Sequence, residues 1–128
     1  MGEPFKARRI LVVDDNADAA LLVGEIIATQ GHTVMVANGG LEAIDKVSEF
    51  SPDVMFLDLG MPSVDGYQVA MTLRQDRRFD ALRIVALTAW GDAASRERVI
   101  ACGIDAHLVK PAKIESLFCE ANLVRSQC

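Results

Sequence analysis

The chain has few cysteines, no excess of positive charge and no long apolar run. Its three cysteines, Cys102, Cys119 and Cys128, are an odd number without the spacing of metal ligands. We therefore expect free thiols in a reducing compartment rather than a disulfide framework. A formal net charge of −5 disfavours nucleic acid as a direct partner. From the free thiols we expect a cytoplasmic protein. No apolar run is long enough to span a bilayer, so we expect no membrane insertion.

We expect no signal peptide at the amino terminus. Basic residues precede the apolar run Ile10–Val13, but that run is short and continues into two aspartates. The chain also has no internal repeats, low-complexity segments or linkers, and 128 residues suit a single domain. The prediction is a short tail over residues 1–8 and one domain over residues 9–126.

Strand-like and helix-like segments alternate five times along the chain. Short apolar and β-branched runs predict strands at residues 9–13, 32–37, 53–58, 83–87 and 106–109. Amphipathic segments predict helices at residues 17–30, between the turn 38–40 and Ser51, and at 67–75, 92–102 and 112–125. Strict alternation is typical of a parallel sheet with helices on both faces. The predicted fold class is α/β, a flavodoxin-like (βα)5 doubly wound sheet with strand order 2-1-3-4-5.

Each predicted helix has an apolar face. Asn16 or Asp18 can cap the first helix, and Gly31 can end it in the left-handed conformation. The faces that we expect to be buried are, in chain order, Leu22, Val23, Ile26 and Ile27; Leu41, Ile44 and Val47; Val69, Ala70 and Leu73; Val99 and Ile100; and Ile114, Leu117, Phe118 and Ala121. The fourth helix has the fewest apolar residues, so we expect it to be the most mobile.

The third predicted strand ends in a carboxylate. The apolar run Val54–Leu57 leads directly into Asp58, and Gly60 and Pro62 then stop the strand. An uninterrupted apolar run of this length is typical of a strand buried on both faces. Asp58 would then lie at the carboxyl edge of the sheet, where open α/β sheets bind ligands. An aspartate in this position also commonly caps a turn.

Polar side chains follow three other predicted strands as well. Asp14 and Asp15 follow the first strand, Thr88 ends the fourth and Lys110 follows the fifth. The carboxyl ends of parallel strands share one edge, and these strands are neighbours in the predicted order, so the side chains can converge. Taken singly, Lys110 is as well explained by a surface ion pair and Thr88 by a turn. Such groups at all four strand ends are much harder to explain by chance.

The chemistry of these residues favours phosphoryl transfer. The carboxylates of Asp14, Asp15 and Asp58 would repel one another unless a cation were bound. Oxygen-only ligands favour Mg²⁺, and the backbone carbonyl of Gly60 could complete its site. A carboxylate nucleophile, a divalent ion, an ammonium and a hydroxyl are the groups that move a phosphoryl group onto an aspartate.

Five short motifs follow one another over nearly the whole chain: Val12–Asn16, Leu57–Pro62, Asp65-Gly66, Ala86–Ala89 and Leu108–Pro111. In order and spacing they resemble the motifs of response-regulator receiver domains in two-component signalling. The resemblance implies that Asp58 accepts a phosphoryl group from a histidine kinase or a phosphotransfer protein, and that Asp14, Asp15, Asp58 and the Gly60 carbonyl hold Mg²⁺. It further implies that Thr88 and Lys110 contact the phosphoryl group and that Lys110-Pro111 is a cis peptide. Such a domain is not a turnover enzyme on an external substrate.

The chain departs from the family pattern at a few positions. His107 stands where the family has a switch aromatic, and an imidazole can carry charge near neutral pH. We hypothesise that His107 rotates inward when Thr88 moves toward the phosphoryl group; the alternative is a polar edge residue that faces solvent. Gly60 and Trp90 stand at positions that flank the path of the hydrolytic water in the family. We predict a long-lived phosphoryl group, although Trp90 could equally be an exposed loop aromatic.

Phosphorylation is expected to act by a population shift. The added negative charge at Asp58 would draw Thr88 and Lys110 inward and alter the surface formed by the fourth strand, the helix after it and the fifth strand. An unknown downstream protein would bind that surface. Arg96 and Arg98 on the helix could equally form a solvated face.

Three other functions compete with this interpretation. An FMN carrier would need a phosphate-binding loop after the first strand, where Asp14 and Asp15 would repel a phosphate. An aspartate-nucleophile phosphatase usually has a second acid where this chain has Gly60. A partner-binding module independent of phosphorylation would need none of the site chemistry. The domain could also stand alone or be excised from a hybrid histidine kinase.

Overall fold

The structure is a computed structural model that describes residues 7–61, 65–89 and 93–123. Its strands are β1 (Arg9–Val13), β2 (Thr33–Ala37), β3 (Val54–Asp58), β4 (Arg83–Thr88) and β5 (Ala106–Val109). Its helices are α1 (Ala17–Ala28), α2 (Gly40–Phe50), α3 (Gly66–Arg74), α4 (Ala93–Ala101) and α5 (Ile114–Ala121), with a short 3-10 turn at Arg77–Phe79. The predicted alternation is confirmed, and the ends of the elements differ from the prediction by a few residues. Residues 1–6 of the predicted tail (residues 1–8) and the predicted end of α5 at residues 124–125 lie outside the described residues.

The five strands form one parallel sheet in the order β2-β1-β3-β4-β5, which confirms the predicted topology. In the register of the sheet, Val13 lies beside Leu57, Asp58 beside Leu87 and Thr88 beside Val109. The carboxyl ends of β1, β3, β4 and β5 therefore lie along one edge. The fold thus brings the polar residues at these strand ends to one place.

Each face of the sheet has its own hydrophobic core. Alternate residues of a strand point to opposite faces. Leu11 and Met55 belong to the core beneath α2, α3 and α4, whereas Val12 and Phe56 belong to the core beneath α1 and α5. All five residues of β3 are buried, as the apolar run predicted. Full burial of a side chain such as that of Phe56 contributes about 1.5–3 kcal/mol.

The helix ends follow local sequence signals. Asn16, and not Asp18, caps α1, because its side-chain Oδ1 accepts a hydrogen bond from the Ala19 N–H at 3.1 Å. Gly31 has a φ of 90° just after α1, as predicted for a left-handed end. Ser51 ends α2 with a φ of 51°, since the proline that follows disfavours right-handed helical geometry there.

Four residues that we predicted to be buried on helix faces are exposed. Leu22, Leu41, Ile100 and Ile114 have exposed fractions of 59, 69, 73 and 51%. On α1, two of the buried positions are occupied by small residues, Ala20 and Gly24. Gly24 lies so close to β2 that an added Cβ would sit 3.3 Å from Cγ1 of Val34. Because α1 packs this closely through Ala20 and Gly24, its bulky leucines point outward. No helix in the described ranges is both long enough and apolar enough to cross a membrane.

Candidate functional site

Three carboxylates meet at the carboxyl edge of the sheet. Asp14 and Asp15 follow β1 and Asp58 ends β3, and one oxygen from each lies within 4.8 Å of the others. Asp14 and Asp58 are 3% and 7% exposed, whereas Asp15 is exposed. The predicted convergence of these residues is confirmed. The cluster is anchored in the protein at two carboxylates and open to solvent at the third.

Local hydrogen bonds hold Asp14 in place. Its Oδ1 accepts the Asn16 N–H at 3.0 Å, and its own backbone N–H donates to the Ala37 carbonyl at 3.1 Å. The Asn38 side-chain amide donates to the Asp14 carbonyl at 3.0 Å. Sequence reasoning had assigned Asn38 only to a turn, because the contact joins residues 24 positions apart. The segments after β1 and β2 together therefore orient the first carboxylate.

The Lys110 ammonium lies between two of the carboxylates. Its Nζ is 3.2 Å from Oδ2 of Asp14 and 3.3 Å from Oδ1 of Asp58. The backbone N–H of Lys110 donates to the Thr88 carbonyl at 2.7 Å, and this bond joins the end of β5 to the end of β4. The Lys110-Pro111 peptide is cis, as predicted. Lys110 is thus held at the site by its backbone and by its charge.

The site carries more negative charge than Lys110 neutralises. Burial raises the pKa of Asp58, and the neighbouring Asp14 raises it further, against the opposing effects of the Gly60 N–H and Lys110. Burial lowers the pKa of Lys110, but the charges of Asp58 and Asp14 outweigh this effect and raise it above its usual value. Three hard oxygen ligands with a surplus of negative charge fit a small divalent cation. These residues could therefore hold a metal ion.

Gly60 and Gly66 shape the backbone around Asp58. The Gly60 N–H donates to Oδ1 of Asp58 at 3.0 Å. A Cβ at Gly66 would lie 2.6 Å from the Asp58 carbonyl oxygen, so only glycine permits α3 to begin this close to the end of β3. Asp65 starts that helix with a capping box, in which its side chain accepts the Gln68 N–H. The role of the Gly60 carbonyl as a metal ligand stays a prediction.

A cleft of about 340 Å³ opens onto Asp58. Thr88 and Lys110 line it, as the sequence predicted, and Thr88 is 3% exposed. Tyr67 and Arg98 also line the cleft, with the Arg98 guanidinium carbon 3.8 Å from the centroid of the Tyr67 ring. Sequence reasoning missed both residues at this site. No local signal joins two side chains that are this far apart in the chain.

The remaining residues that the sequence analysis named are His107, Trp90 and the three cysteines. His107 lies on β5 beside Ala86 and is half-buried, and its rotation on phosphorylation stays a prediction. Trp90, which stands at a position that flanks the path of the hydrolytic water in the family, lies outside the described residues. Cys102 is buried and Cys119 is exposed, and both are free thiols as expected. Cys128 lies outside the described residues.

The family is decided by comparison with known proteins. Residues 10–122 match the model of the response regulator receiver domain. The chain belongs to this family. Its place is therefore in two-component signalling, as the motifs had predicted.

Curated relatives of different lengths match the same domain. The chain is 36% identical over 103 residues to the probable transcriptional regulator ycf27 of Guillardia theta, covering 80% of this chain and 39% of the relative. It is 34% identical over 116 residues to the sensor protein GacS of Pseudomonas syringae pv. syringae, covering 87% of this chain and 13% of GacS. The response regulator DivK of Brucella ovis is 28% identical over 107 residues, covering 84% of this chain and 87% of DivK. The chain thus spans well under half the length of the first two relatives.

Solved structures share the fold. The chemotaxis protein CheY4 of Vibrio cholerae superposes on this chain with a TM-score of 0.82 at 27% identity, covering 88% of this chain and 93% of that one. This similarity supports the flavodoxin-like assignment that the strand order indicated.

Proposed function

We propose that the chain is the phosphoacceptor of a phosphorelay and that Asp58 receives the phosphoryl group. One observation carries the proposal. Asp58 ends a strand, borders an open cleft, and lies 3.3 Å from the Lys110 ammonium and within 4.8 Å of two further carboxylates. A carboxylate so placed can approach a phosphorus atom while a cation offsets the charge that accumulates.

The transfer breaks one bond and forms another. A carboxylate oxygen of Asp58 attacks the phosphorus of a phosphohistidine on the donor. The phosphorus–nitrogen bond breaks, and its electron pair stays on the imidazole nitrogen of the donor. The product on this chain is an acyl phosphate. Water later attacks that phosphorus and releases inorganic phosphate, which regenerates the Asp58 carboxylate.

A metal ion, an ammonium and a hydroxyl would stabilise the transferred phosphoryl group. Asp14, Asp15, Asp58 and the Gly60 carbonyl would hold Mg²⁺, which would neutralise charge on the phosphoryl oxygens. The Lys110 ammonium is near enough to Asp58 to pair with a phosphoryl oxygen once its bond to the free carboxylate is lost. The Thr88 hydroxyl lines the same cleft and is assigned to a further phosphoryl oxygen.

The chain acts as a substrate of its partner and not as a turnover enzyme. A phosphatase would hydrolyse a generic phosphate monoester many times per molecule, so a turnover assay distinguishes the two functions. The partner is a histidine kinase or a histidine phosphotransfer protein. The protein is proposed to act in the cytoplasm, where such donors meet their receivers.

The output surface is assigned to β4, α4 and β5. Among the described side chains of α4, Val99 alone is buried, so few contacts oppose a shift of this helix. Ile100 and Val109 are exposed on this surface and are available to an unknown downstream protein. If His107 is part of the switch, His107→Ala should change the affinity of that protein for the phosphorylated form.

The setting of the domain has two forms in this proposal. GacS, of which the chain covers 13%, is a sensor protein, and DivK, of which it covers 87%, is a response regulator. In this proposal the chain is either a stand-alone regulator or the receiver of a longer protein, such as a hybrid kinase or a transcriptional regulator of the kind that ycf27 is.

Mass spectrometry tests the proposal. The protein is incubated with Mg²⁺ and acetyl phosphate, and in parallel with a phosphorylated histidine kinase. One phosphoryl adduct is expected on the wild type and on Asp18→Asn, an exposed position on α1, and none on Asp58→Asn. An adduct that persists in Asp58→Asn would contradict the assignment of the acceptor. The absence of any adduct on the wild type would favour a partner-binding module that is independent of phosphorylation.

A further inference from the structure

The guanidinium of Arg98 is held over the ring of Tyr67 at the phosphoacceptor cleft. The two groups are 3.8 Å apart, from the guanidinium carbon to the ring centroid, and both line the cleft that contains Asp58 and Lys110. The ring is nearly buried at 9% exposed, so its position is determined by the core beneath α3. The stacking orders a long side chain that would otherwise move freely in solvent.

Lys110 and Arg98 differ in their carboxylate partners. Lys110 already lies between Asp14 and Asp58. In the part of the chain that the structure describes, Arg98 makes no ion pair with a carboxylate. Its positive charge at the cleft is therefore available to an incoming anion.

The stacked geometry also leaves the donors of Arg98 available. The Arg98 guanidinium carbon lies 3.8 Å from the centroid of the Tyr67 ring, which is cation–π contact distance. A guanidinium has five N–H groups in one plane, and its contact with a ring uses none of them in a conventional hydrogen bond. In-plane donors match the oxygens of a phosphoryl group, which arginine binds with paired hydrogen bonds. The Tyr67 ring thus orients Arg98 without consuming its hydrogen-bonding capacity.

We infer that Arg98, oriented by Tyr67, is a second cationic binding residue of the cleft, which attracts an anionic phosphoryl donor and holds the phosphoryl group on Asp58. The inference rests on the proposed function of Asp58. Arg98 is the binding residue and Tyr67 is its positioning residue. Because Arg98 belongs to α4 and is adjacent to the buried Val99, its contact with the phosphoryl group would pull on the helix that forms part of the output surface.

The inference predicts that loss of the Arg98 charge affects the reaction with an anionic phosphoryl donor differently from the binding of Mg²⁺. Removal of the Arg98 charge should slow reaction with acetyl phosphate, since the cleft becomes less positive. The same removal should leave Mg²⁺ affinity unchanged or raise it, since a repelling cation is lost. A role for Arg98 only in tethering α4 to α3 would instead weaken both processes or neither.

The experiment compares Arg98→Gln with Arg96→Gln, a matched loss of charge at an exposed position of the same helix that does not line the cleft. The rate of adduct formation with acetyl phosphate is measured by mass spectrometry at two ionic strengths, and Mg²⁺ affinity by calorimetry. Arg98→Gln should slow the reaction by roughly three- to tenfold at low salt. The difference should shrink at high salt, because screening weakens steering between exposed charges. Arg96→Gln should remain within about twofold of the wild type.

Two further variants separate charge from position. Arg98→Lys keeps the charge and should recover most of the salt-dependent part of the rate. Tyr67→Leu should slow the reaction more than Tyr67→Phe, which keeps the ring face. Thermal unfolding followed by circular dichroism confirms that each variant is folded.

The outcomes are distinguishable. An equal effect of Arg98→Gln and Arg96→Gln, or a loss of Mg²⁺ affinity that parallels the loss of rate, would overturn the role of Arg98 while Asp58 remains the acceptor. If the wild type forms no adduct with acetyl phosphate or with a kinase, the proposed function and this inference fall together.

Discussion

Arg74, the last residue of α3, donates a hydrogen bond from Nη2 to Oδ2 of Asp105 at 2.8 Å. The same Asp105 oxygen accepts the Ile84 N–H at 2.8 Å, so one carboxylate joins the end of α3 to the start of β4 and the turn before β5. Three further N–H groups of Arg74 donate to the carbonyls of Gly103, Phe79 and Leu82. This cluster lies at the edge of the sheet opposite the phosphoacceptor site, and its role is structural.

Removal of Arg74 should destabilise the fold. The side chains of Arg74 and Asp105 are only 12% and 16% exposed, so Arg74→Met would leave a carboxylate and three carbonyls without this donor. The free energy of unfolding should fall by about 3 kcal/mol, as expected for a buried ion pair that loses one partner. Urea unfolding measures this loss, with Arg77→Met at the exposed 3-10 turn as the control. A loss of similar size in both variants would show that the Arg74 cluster contributes little.

Gly66 should be intolerant of a side chain, and Gly39 should tolerate one. An added Cβ at Gly66 would meet the Asp58 carbonyl oxygen at 2.6 Å and Cα of Leu59 at 2.8 Å, whereas one at Gly39 would meet nothing within 4 Å. Gly66→Ala should therefore cost about 1–3 kcal/mol of stability and displace Asp58, which would also slow its phosphorylation. Gly39→Ala should differ from the wild type by less than about 1 kcal/mol. Thermal unfolding and adduct formation are measured for both variants, and equal behaviour of the two would contradict the close approach of α3 to β3.

Acid should destabilise the protein partly through His32. Burial lowers the pKa of His32 and the charge of Arg8 lowers it further, against a hydrogen bond with the Asn122 side chain and the charge of Asp53. The Nδ1 atom accepts the Arg8 N–H at 3.0 Å, which requires the neutral imidazole at that nitrogen. The folded protein therefore binds the proton less readily than the unfolded chain.

The direction of the pH effect follows from this difference. The contribution of His32 to stability is fully present above the unfolded pKa of 6.5 and is lost as the pH falls toward the lower folded pKa. His32→Gln keeps an acceptor but cannot be protonated, so its unfolding free energy should vary less between pH 7.5 and pH 5.5 than that of the wild type. Denaturant titrations at the two pH values measure the variation. The same loss in both proteins would assign the acid sensitivity to other groups.

Mg²⁺ should stabilise the protein, and the effect should depend on Asp15. A ligand that binds only the folded state raises the free energy of unfolding. Once its concentration exceeds the dissociation constant, the rise grows with the logarithm of the ratio of the two. Asp15→Asn removes one of three carboxylates and should weaken Mg²⁺ binding by about tenfold or more, equivalent to about 1.4 kcal/mol. Calorimetry gives the affinity, and the melting temperature with and without Mg²⁺ gives the linked stability. Asp18→Asn, an exposed position on α1, is the control, and a rise in melting temperature that survives in Asp15→Asn would exclude Asp15 from the metal site.

Much of the architecture and of the site followed from local signals in the sequence. The uninterrupted apolar run of β3, the glycine after α1 and the asparagine before it each act over a few residues, so their effects could be predicted before the fold was known. The carboxylates after β1 and β3 could be placed together because parallel strands with short connections have few possible arrangements. Family motifs strengthened this prediction at the same positions.

The helix faces were harder to predict. Leu22, Leu41, Ile100 and Ile114 match a helical period, yet they point to solvent. A period of 3.6 residues identifies a candidate face only to within about one position, and a rotation of one residue turns a side chain by about 100°. The final rotation depends on which small residues allow the helix to approach the sheet, as Gly24 does against Val34.

By itself the sequence determined the order of the elements, the strand at the centre of the sheet and the positions of the carboxylates at the ends of β1 and β3, because these depend on local propensity and on the few topologies open to alternating strands and helices. Only the tertiary structure decided that Arg98 lies on Tyr67, that Arg74 reaches Asp105, and that Asn38 supports Asp14. Each of these contacts joins residues that are distant in the chain. Their formation depends on how closely whole helices and loops pack against the sheet, which no local pattern specifies.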